Sequence, residues 1–362
     1  MQKKGKLLRI GITIGDFNGV GPELIIEAFS RPGVREICTP VIYGAPRIFN
    51  VYRKIMNVEK FSYNVIQTPD QAQPRRISVI DCIDVKGRVE PGRPDQDSGM
   101  AAFQALEAAT KDLKEGLIDA LVTMPIDKHY IQNENFSFPG HTEYLAEAFG
   151  VGDNLMFMVH DLLRVGVVTG HVPVKDVAQS ISVGKIISKI QMMNHSLKFD
   201  FNLEKPRIAV LGLNPHAGDN GLLGMEEQEI ITKAVEKCAN DKILVLGPYS
   251  ADGFFASGTY RKFDGILAMY HDQGLIPFKL LAGFEGVNFT AGLPAVRTSP
   301  DHGPAFDLVG KAKASPDSFI HSLYTAIDVY RRRRENTDLH ENSIWRSKQK
   351  RELEVTEEDI VE

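Results

Sequence analysis

Short apolar runs of β type alternate along the chain with longer stretches in which apolar residues recur at helical spacing. The helical stretches are 98–115, 183–198, 226–239 and 316–330, and a further helix opens at Pro22. Such alternation is typical of a largely parallel sheet covered by helices. The apolar runs predict strands at residues 7–14, 41–43, 77–82, 117–124, 155–159, 165–169, 208–213, 243–246 and 265–269.

A chain of 362 residues exceeds what one small core usually holds, so two α/β lobes are expected. We place the first lobe at residues 1–130 together with 286–330 and the second at 131–285. Residues 331–362 form a charged C-terminal extension that starts with four arginines. A tail that binds nucleic acid or a partner is one interpretation, and a solvated helix end with an appended charged segment is the favoured one.

Composition narrows the class of protein. A net charge of −5 and a pI of about 6.1 do not favour nucleic acid or an anionic membrane surface as a partner. The cysteines, Cys38, Cys82 and Cys238, are odd in number and widely spaced, which argues against a disulfide framework and a thiolate zinc site. No apolar run reaches the roughly 20 residues that span a bilayer. A cytoplasmic globular protein is expected.

Three histidines follow predicted strands. His171, His216 and His271 each come just after an apolar run, and residues typical of loops follow each of them. Ligands of open α/β sheets bind at the carboxyl ends of strands, so the three rings are free to converge. Three imidazoles suit Zn²⁺ or a similar divalent ion and leave a coordination position for substrate. On spacing alone, three unrelated polar residues at loop starts are the other interpretation.

A glycine-rich turn at residues 15–21 follows the first predicted strand and opens a helix. Backbone N–H groups at such a helix start can hold an anion. The glycine spacing matches neither the dinucleotide-binding fingerprint nor the P-loop. A structural turn is therefore favoured, and a Rossmann fold is not expected.

Polar residues at two other places are candidates for binding an anion. His141 and Thr142 precede a predicted helix, where Thr142 is also a candidate N-cap. Lys279, Asn288 and Arg297 interrupt an apolar, glycine-rich stretch. Cations in apolar surroundings are usually paired or serve a site, and Lys and Arg suit phosphate and carboxylate. Exposed side chains are an equal alternative.

Taken together, these segments resemble the 4-hydroxythreonine-4-phosphate dehydrogenase family. The matching motifs run in order from residue 10 to about residue 330, and their number and order make the resemblance specific. They are Gly15-Asp-x-x-Gly-Val-Gly-Pro-Glu23, Pro125-Ile-x-Lys128, Pro139-Gly-His-Thr-Glu143, Gly212-Leu-Asn-Pro-His-Ala-Gly218, Met269-Tyr-His-Asp-Gln-Gly-Leu275, Gly286-Val-Asn-x-Thr290, Gly292-Leu-Pro294 and Arg297-Thr-Ser-x-Asp-His-Gly303. Phe17 and Asn18 depart from the proline-and-small pattern often seen there.

The resemblance implies an isocitrate/isopropylmalate-dehydrogenase-like fold with two α/β lobes around a cleft. It implies that one divalent metal (Zn, Mg or Co) is held at a site completed across a homodimer interface, and that NAD or NADP binds. The implied metal ligands are His171, His216 and His271. The implied substrate residues are His141, Thr142, Lys279, Asn288 and Arg297, and the implied cofactor residues are His302, Gly303 and Asp307.

The implied reaction is oxidation of 4-phosphooxy-L-threonine to a 3-oxo acid, which decarboxylates to 3-amino-2-oxopropyl phosphate in pyridoxine 5'-phosphate biosynthesis. Asp272 and Lys128 are the candidate general bases, and Asp272 is equally a candidate partner that orients a histidine. Two alternatives remain. One is a paralogue acting on threonate or erythronate 4-phosphate or a cyclic dihydrodiol, and the other is a metal-dependent hydrolase or phosphate acyltransferase.

Overall fold

A computed structural model of the chain describes residues 7–358, and it describes side chains as far as residue 337. Within that range, twelve strands form one mixed sheet. The strands are β1 (Arg9–Thr13), β2 (Thr39–Gly44), β3 (Asn64–Ile66), β4 (Ser78–Asp81), β5 (Ala120–Thr123), β6 (Leu155–His160), β7 (Leu163–Thr169), β8 (Ile208–Leu211), β9 (Val245–Tyr249), β10 (Gly265–Tyr270), β11 (Val287–Ala291) and β12 (Arg297–Pro300).

The helices of this range pack on the sheet and on one another. Helix α4 contacts β1 and β2, α7 and α10 contact β7 and β10, and α11 contacts β5, β11 and β12. The helices are α1 (Gly21–Ser30), α2 (Pro32–Glu36), α3 (Pro46–Ile55), α4 (Gln96–Lys114), α5 (His141–Ala148), α6 (Val177–Ser180), α7 (Val183–Phe199), α8 (Thr232–Asn240), α9 (Ala251–Ala256), α10 (His271–Ala282) and α11 (Asp317–Glu358).

The strand order across the sheet is β3-β4-β2-β1-β5-β12-β11-β6-β7-β10-β8-β9. Strand β11 runs antiparallel to both β12 and β6, β6 runs antiparallel to β7, and the other neighbouring pairs are parallel. The β11–β12 pair therefore separates five strands drawn from residues 9–123 from five drawn from residues 155–270. The lobe boundaries given above stay a prediction.

The strands that carry the three histidines are neighbours. Strand β10 lies between β7 and β8 and is parallel to both, with Tyr270 opposite Thr169. His171, His216 and His271 therefore all follow the carboxyl ends of adjacent parallel strands, as the sequence predicted. This register places His171 and His271 at the same edge of the sheet.

Each strand predicted from the sequence is present, but three strands (β3, β11 and β12) and five helices (α2, α3, α6, α9 and α10) were missed. Strands β11 and β12 lie in the apolar, glycine-rich stretch that Asn288 and Arg297 interrupt, and β3 is only three residues long. Helix α10 begins at His271 itself and contains Pro277, so the expectation of a loop after that histidine was wrong. Polar and turn-forming residues are acceptable in a first helical turn, where backbone N–H groups have no helical acceptor.

The C-terminal extension continues helix α11 as far as Glu358, and residues 359–362 lie outside the described range. Its first turns are held to the C-terminus of α7. Arg333 donates from Nε to Asp200 Oδ1 at 2.6 Å and from Nη1 to the carbonyl oxygen of Leu293 at 2.9 Å. The Asp200 side chain is 3% exposed, so the start of the extension is packed rather than fully solvated. Among the described helices, none is long and apolar enough to cross a membrane.

Candidate active site

A pocket of about 480 Å³ is lined by residues of β6, β7, β11 and β12, by the segments that follow β5, β7 and β12, and by residues of α7 and α10. Most of the site residues predicted from the sequence contribute to its wall. These are Lys128, His141, Thr142, His171, His271, Lys279, Asn288, Arg297, His302 and Gly303. The other three predicted residues, His216, Asp272 and Asp307, do not line it.

The guanidinium of Arg297 is 2% exposed and is held by hydroxyl groups. Its Nε and Nη2 donate to Thr123 Oγ1 at 3.1 and 2.6 Å. Its Nη1 donates to Thr290 Oγ1 at 3.2 Å and to Thr142 Oγ1 at 3.5 Å. Burial lowers the pKa of Arg297 to about 10, and the nearby charge of Glu143 opposes that shift. The cation makes no ion pair within the described residues, so its charge is available to an anion.

His141 lies beside this guanidinium with an unsatisfied ring nitrogen. The residue is 9% exposed, and its Nε2 is buried without a hydrogen-bond partner in the described structure. Burial holds the pKa of His141 well below its usual value, and the cations Arg297 and Lys128 add to the effect. The ring is therefore neutral at physiological pH. Helix α5 begins at His141 with Gly140 as N-cap, so the assignment of Thr142 as N-cap was wrong.

Lys279 and Asn288 add polar atoms to the same pocket. The ammonium of Lys279 lies 3.3 Å from Asp301 Oδ1. Burial raises the pKa of Asp301, and Lys279 opposes that shift. Asn288 Oδ1 is buried and, like His141 Nε2, has no partner in the described structure. Buried polar atoms normally have partners, so these two indicate a polar ligand.

His171 also lines this pocket, where it lies near Lys128 and Glu143. Its Nε2 is 3.1 Å from the ammonium nitrogen of Lys128, and its Nδ1 is 3.8 Å from Glu143 Oε1. The pKa of Glu143 is lowered: burial would raise it, but hydrogen bonds and the charges of His171 and Lys128 outweigh burial. The His171 and His271 rings have centroids 6.2 Å apart.

His271 is oriented by its neighbour in sequence. Its Nδ1 lies 2.7 Å from Asp272 Oδ1, which leaves Nε2 free. A carboxylate that accepts one ring N–H fixes the tautomer and makes the other nitrogen a better ligand. Asp272 itself lines a second cavity of about 590 Å³, together with His216 and Asp252. The geometry thus favours the orienting role of Asp272 over a role as base in the first pocket.

His216 begins a left-handed turn. Six consecutive residues, 216–221, have positive φ, and only Gly218 and Gly221 among them are glycines. The buried carboxylate of Glu227 supports the turn by accepting the backbone N–H groups of Leu213 and Asn214, both at 2.7 Å. A Cβ at Gly218 would lie 2.6 Å from Glu227 Oε2, so the close approach requires glycine there.

The three histidines predicted to bind a divalent metal do not come together within one chain. Among residues 7–337, no group of three or more His, Cys, Asp or Glu side chains is close enough to hold a metal. His171 and His271 share a pocket, and His216 faces the other cavity. The predicted convergence of three imidazoles is therefore not present in a single chain. Completion of the site by a second copy stays a prediction.

The predicted cofactor loop rests on the glycine-rich turn. The N–H of Val20 donates to the carbonyl oxygen of Pro304 at 2.9 Å, and Gly310 N–H donates to Glu23 Oε2 at 3.1 Å. Residues 15–21 are buried, which favours the structural turn over an anion site at the start of α1. His302 Nε2 is buried without a partner in the described structure, and a Cβ at Gly303 would meet open space. Asp307 is exposed outside the pocket.

Four residues of the site were not assigned from the sequence. Thr123 and Thr290 hold Arg297, Asp301 contacts Lys279, and Glu143 lies near His171. Glu143, Thr290 and Asp301 all belong to quoted motifs, so their position beside assigned residues was the available signal. Thr123 ends a buried strand two residues before Pro125, and nothing in its local sequence marks it.

Comparison with known proteins identifies the family of the chain. A family model described as "Pyridoxal phosphate biosynthetic protein PdxA" matches residues 36–326. A 4-hydroxythreonine-4-phosphate dehydrogenase from Bacteroides thetaiotaomicron is 53% identical over 327 residues, which cover 90% of each chain. A D-threonate 4-phosphate dehydrogenase from Cupriavidus necator is 38% identical over 90% of this chain and 98% of its own length.

A solved structure supports the same relationship. The crystal structure of 4-hydroxythreonine-4-phosphate dehydrogenase from Klebsiella pneumoniae has a TM-score of 0.79 at 33% identity, covering 91% of this chain and 99% of that chain. The protein is thus an oxidoreductase with the predicted α/β dehydrogenase fold, and not a Rossmann protein. It belongs to the pyridoxal phosphate biosynthetic protein PdxA family. Membership sets aside the hydrolase and acyltransferase alternatives.

Proposed function

We propose that this protein is a divalent-metal-assisted dehydrogenase that oxidises 4-phosphooxy-L-threonine with NAD or NADP. The 3-oxo acid formed loses CO₂ to give 3-amino-2-oxopropyl phosphate, within pyridoxine 5'-phosphate biosynthesis. The observation that carries the proposal is the buried, unpaired cation of Arg297 beside the unsatisfied ring of His141. The names of the relatives from Bacteroides thetaiotaomicron and Klebsiella pneumoniae support the same substrate.

The substrate phosphate is proposed to bind at Arg297. A phosphate there would accept from the guanidinium, from Thr142 and from the neutral ring of His141, and it would supply the missing counter-charge. Lys279 and Asn288 line the same pocket and complete the predicted substrate set. Asp301 restrains the Lys279 ammonium at 3.3 Å.

The metal is proposed to be held by His171, His216 and His271. Two of these imidazoles lie in the pocket, and Asp272 orients the ring of His271. The chemistry that a divalent ion supplies when bound is Lewis acidity, which favours loss of the hydroxyl proton and polarises the forming carbonyl. Because the third imidazole faces another cavity, the proposal requires that a second copy of the chain bring a histidine to the pocket.

Lys128 is the proposed general base. It lines the pocket with the substrate residues, whereas Asp272 does not. Lys128, once its ammonium group has given up a proton, would take the proton of the secondary hydroxyl, and the carbinol hydrogen would leave as hydride to the nicotinamide. The bond between the α-carbon and the carboxylate carbon of the 3-oxo acid then breaks, and CO₂ leaves. The adjacent carbonyl stabilises the electron pair that stays on the α-carbon, and that carbon is then protonated.

The nicotinamide cofactor is proposed to bind at the loop that contains His302, Gly303 and Asp307. What it supplies when bound is a hydride acceptor. The buried, partnerless Nε2 of His302 and the open space at Gly303 fit a ligand that approaches the backbone closely. Asp307 is exposed and has room for a polar contact from that ligand.

A homodimer with the active site at the subunit interface is part of the proposal. Helix α10, which starts at His271, exposes an apolar row that continues just past its end. The exposed fractions are 58% for Ile276, 80% for Leu280 and 79% for Phe284. Because a second copy would bury such a row, and because Ile276 lines the cavity that contains His216, the row supports completion of the site in this way. The free cysteines support a cytoplasmic location.

The proposal is tested by NADH or NADPH formation at 340 nm from 4-phosphooxy-L-threonine. We expect turnover that a chelator abolishes and that Zn²⁺, Mg²⁺ or Co²⁺ restores, with 3-amino-2-oxopropyl phosphate and CO₂ as products. Replacing His216 with Ala should abolish both turnover and metal retention. Full activity of that variant without metal would contradict the assignment.

A second substrate class has one observation in its favour. The relative from Cupriavidus necator that is named D-threonate 4-phosphate dehydrogenase aligns with this chain over almost its whole length. Both substrates present a phosphate and a secondary hydroxyl, and they differ in an amino or hydroxyl group. Comparing kcat/KM for 4-phosphooxy-L-threonine, D-threonate 4-phosphate and erythronate 4-phosphate decides between them.

A further inference from the structure

Arg297 is fixed by three adjacent strands rather than by a counter-ion. Strand β12 pairs with β5, with Arg297 opposite Leu121 and Thr298 opposite Val122. On the other side, β11 pairs with β12, and Thr298 lies opposite Phe289. Thr123 follows Val122 on β5, and Thr290 follows Phe289 on β11. The two threonines therefore lie on the strands on either side of Arg297.

Thr123 makes the strongest of the hydroxyl contacts. Its Oγ1 accepts from both Nε and Nη2 of Arg297, at 3.1 and 2.6 Å, and the residue is fully buried. A threonine on a strand has few χ1 rotamers, so its hydroxyl is a fixed acceptor. Two bonds from one oxygen set both the position and the plane of the guanidinium.

A hydroxyl differs from a carboxylate in one decisive respect. Buried arginines are usually paired with Asp or Glu, which satisfies the N–H groups but neutralises the charge. Thr123 satisfies two N–H groups and leaves the full positive charge in place. The side chains that hydrogen-bond this guanidinium, Thr123, Thr142 and Thr290, are all uncharged, so no carboxylate occupies its N–H groups, although the charge of Glu143 lies nearby.

We infer that Thr123 is the positioning residue of the phosphate site, holding the Arg297 guanidinium in its binding orientation without neutralising it. The inference rests on the proposed function, which places the substrate phosphate at Arg297. It adds that the strength of phosphate binding depends on a hydroxyl that need not touch the substrate. The ligand class that follows from the proposed function is a phosphate monoester.

The test compares Thr123→Val with Thr123→Ser in the full-length protein. Inorganic phosphate binding is measured by calorimetry, and KM and kcat are measured with 4-phosphooxy-L-threonine. We expect Thr123→Val to weaken phosphate binding and raise KM by at least 10-fold, with kcat within threefold of wild type. Thr123→Ser should stay within threefold in all three quantities. Thr110→Val, which deletes another buried threonine hydroxyl, bonded within helix α4, is the matched control.

A third variant keeps the test decisive if Thr123→Val does not fold. Thr123→Asp retains acceptors for the guanidinium but adds the counter-charge. With this variant, no phosphate binding should be detected at a phosphate concentration of ten times the wild-type Kd. Wild-type affinity in Thr123→Val or Thr123→Asp would overturn the inference, as would a Thr123→Ser variant as weak as Thr123→Val. If the wild-type protein binds no phosphate, the anion site of the proposed function fails instead.

Discussion

The ammonium nitrogen of Lys128 lies 3.1 Å from Nε2 of His171. An ammonium group only donates hydrogen bonds, so Nε2 is the accepting nitrogen of the ring. The same lone pair would be needed to bind a divalent metal. Lys128 and the metal would therefore compete for one nitrogen, and metal binding would release the Lys128 side chain toward the substrate.

Replacing Lys128 with Met tests both parts of this relationship. We expect kcat to fall by roughly 10²–10⁴-fold because the proton acceptor is lost. Zn²⁺ affinity, measured by competition with a chromophoric chelator, should be unchanged or tighter because the competing donor is gone. Lys128→Arg keeps the charge but cannot act as a base at accessible pH, so it should be as slow as the Met variant. An active Arg variant would exclude the base role.

Glu227 is expected to stabilise the left-handed turn that starts at His216. Left-handed backbone costs roughly 1–2 kcal/mol for each residue that is not glycine. Glu227→Ala also leaves buried N–H donors of Leu213 and Asn214 without acceptors, at about 1–3 kcal/mol each. We expect a loss of roughly 3 kcal/mol in the free energy of unfolding, measured by urea denaturation.

Glu227→Gln is the matched comparison for the turn. Its amide oxygen still accepts the two backbone N–H groups, but its NH₂ group faces the Asn214 side-chain amide, which now donates to Glu227 Oε2 at 3.0 Å. We expect an intermediate loss, roughly half that of the Ala variant. Equal stability of wild type and Glu227→Ala would show that the turn does not depend on this carboxylate.

What the sequence predicted correctly depends on local patterns. Apolar runs located nine strands, and the histidines placed just after three of them follow strand ends in the structure. Ten predicted site residues reach one pocket because the parallel strands share an edge. Several of the motifs that carry the family resemblance follow the carboxyl ends of parallel strands, among them those at residues 15–23, 125–128 and 212–218.

What the sequence did not predict depends on distant partners. Strand β12 begins at Arg297, a charged residue that enters a central strand only because hydroxyls from β5 and β11 hold it. The left-handed turn at residues 216–221 contains four residues that are not glycine, and the carboxylate of Glu227 supports it from outside. The proposed metal site would need a second copy of the chain, and the spacing of residues in one chain does not predict such a site.

Self-association should depend on the apolar row of α10. Leu280→Asp places a charge in the middle of a surface that the proposed dimer buries, between Ile276 and Phe284. We expect sedimentation velocity to show a dimer for wild type and a monomer for the variant, with turnover lost alongside. Val65→Asp, at an exposed position of β3 at the far edge of the sheet, is the control and should remain dimeric. A dimeric Leu280→Asp protein would place the interface elsewhere.

Asp16 should give the folded protein a pH dependence that its amide variant lacks. The carboxyl is fully buried and accepts from the N–H of Asn18 at 2.9 Å and from the hydroxyl of Ser98 at 3.1 Å. Burial raises the pKa of Asp16 to about 6, although the hydrogen bonds from Asn18 and Ser98 lower it. The negative charges of the nearby Asp127 and Asp95 add to the rise. The folded state therefore holds this proton more tightly than the unfolded state does.

The sign of the effect follows from that difference. Since the unfolded carboxyl titrates near pH 4, the stabilising contribution of the protonated group is complete below that pH and is lost as pH rises through about 6. The full loss is at most about 3 kcal/mol. Asp16→Asn removes the titration, and its amide can still accept from Asn18 and bond to Ser98. Relative to wild type, the variant should thus gain stability between pH 4.5 and pH 7.5, measured by urea denaturation, with the exposed Asp161→Asn as control. Parallel stability curves for wild type and Asp16→Asn would show that Asp16 does not titrate in this range.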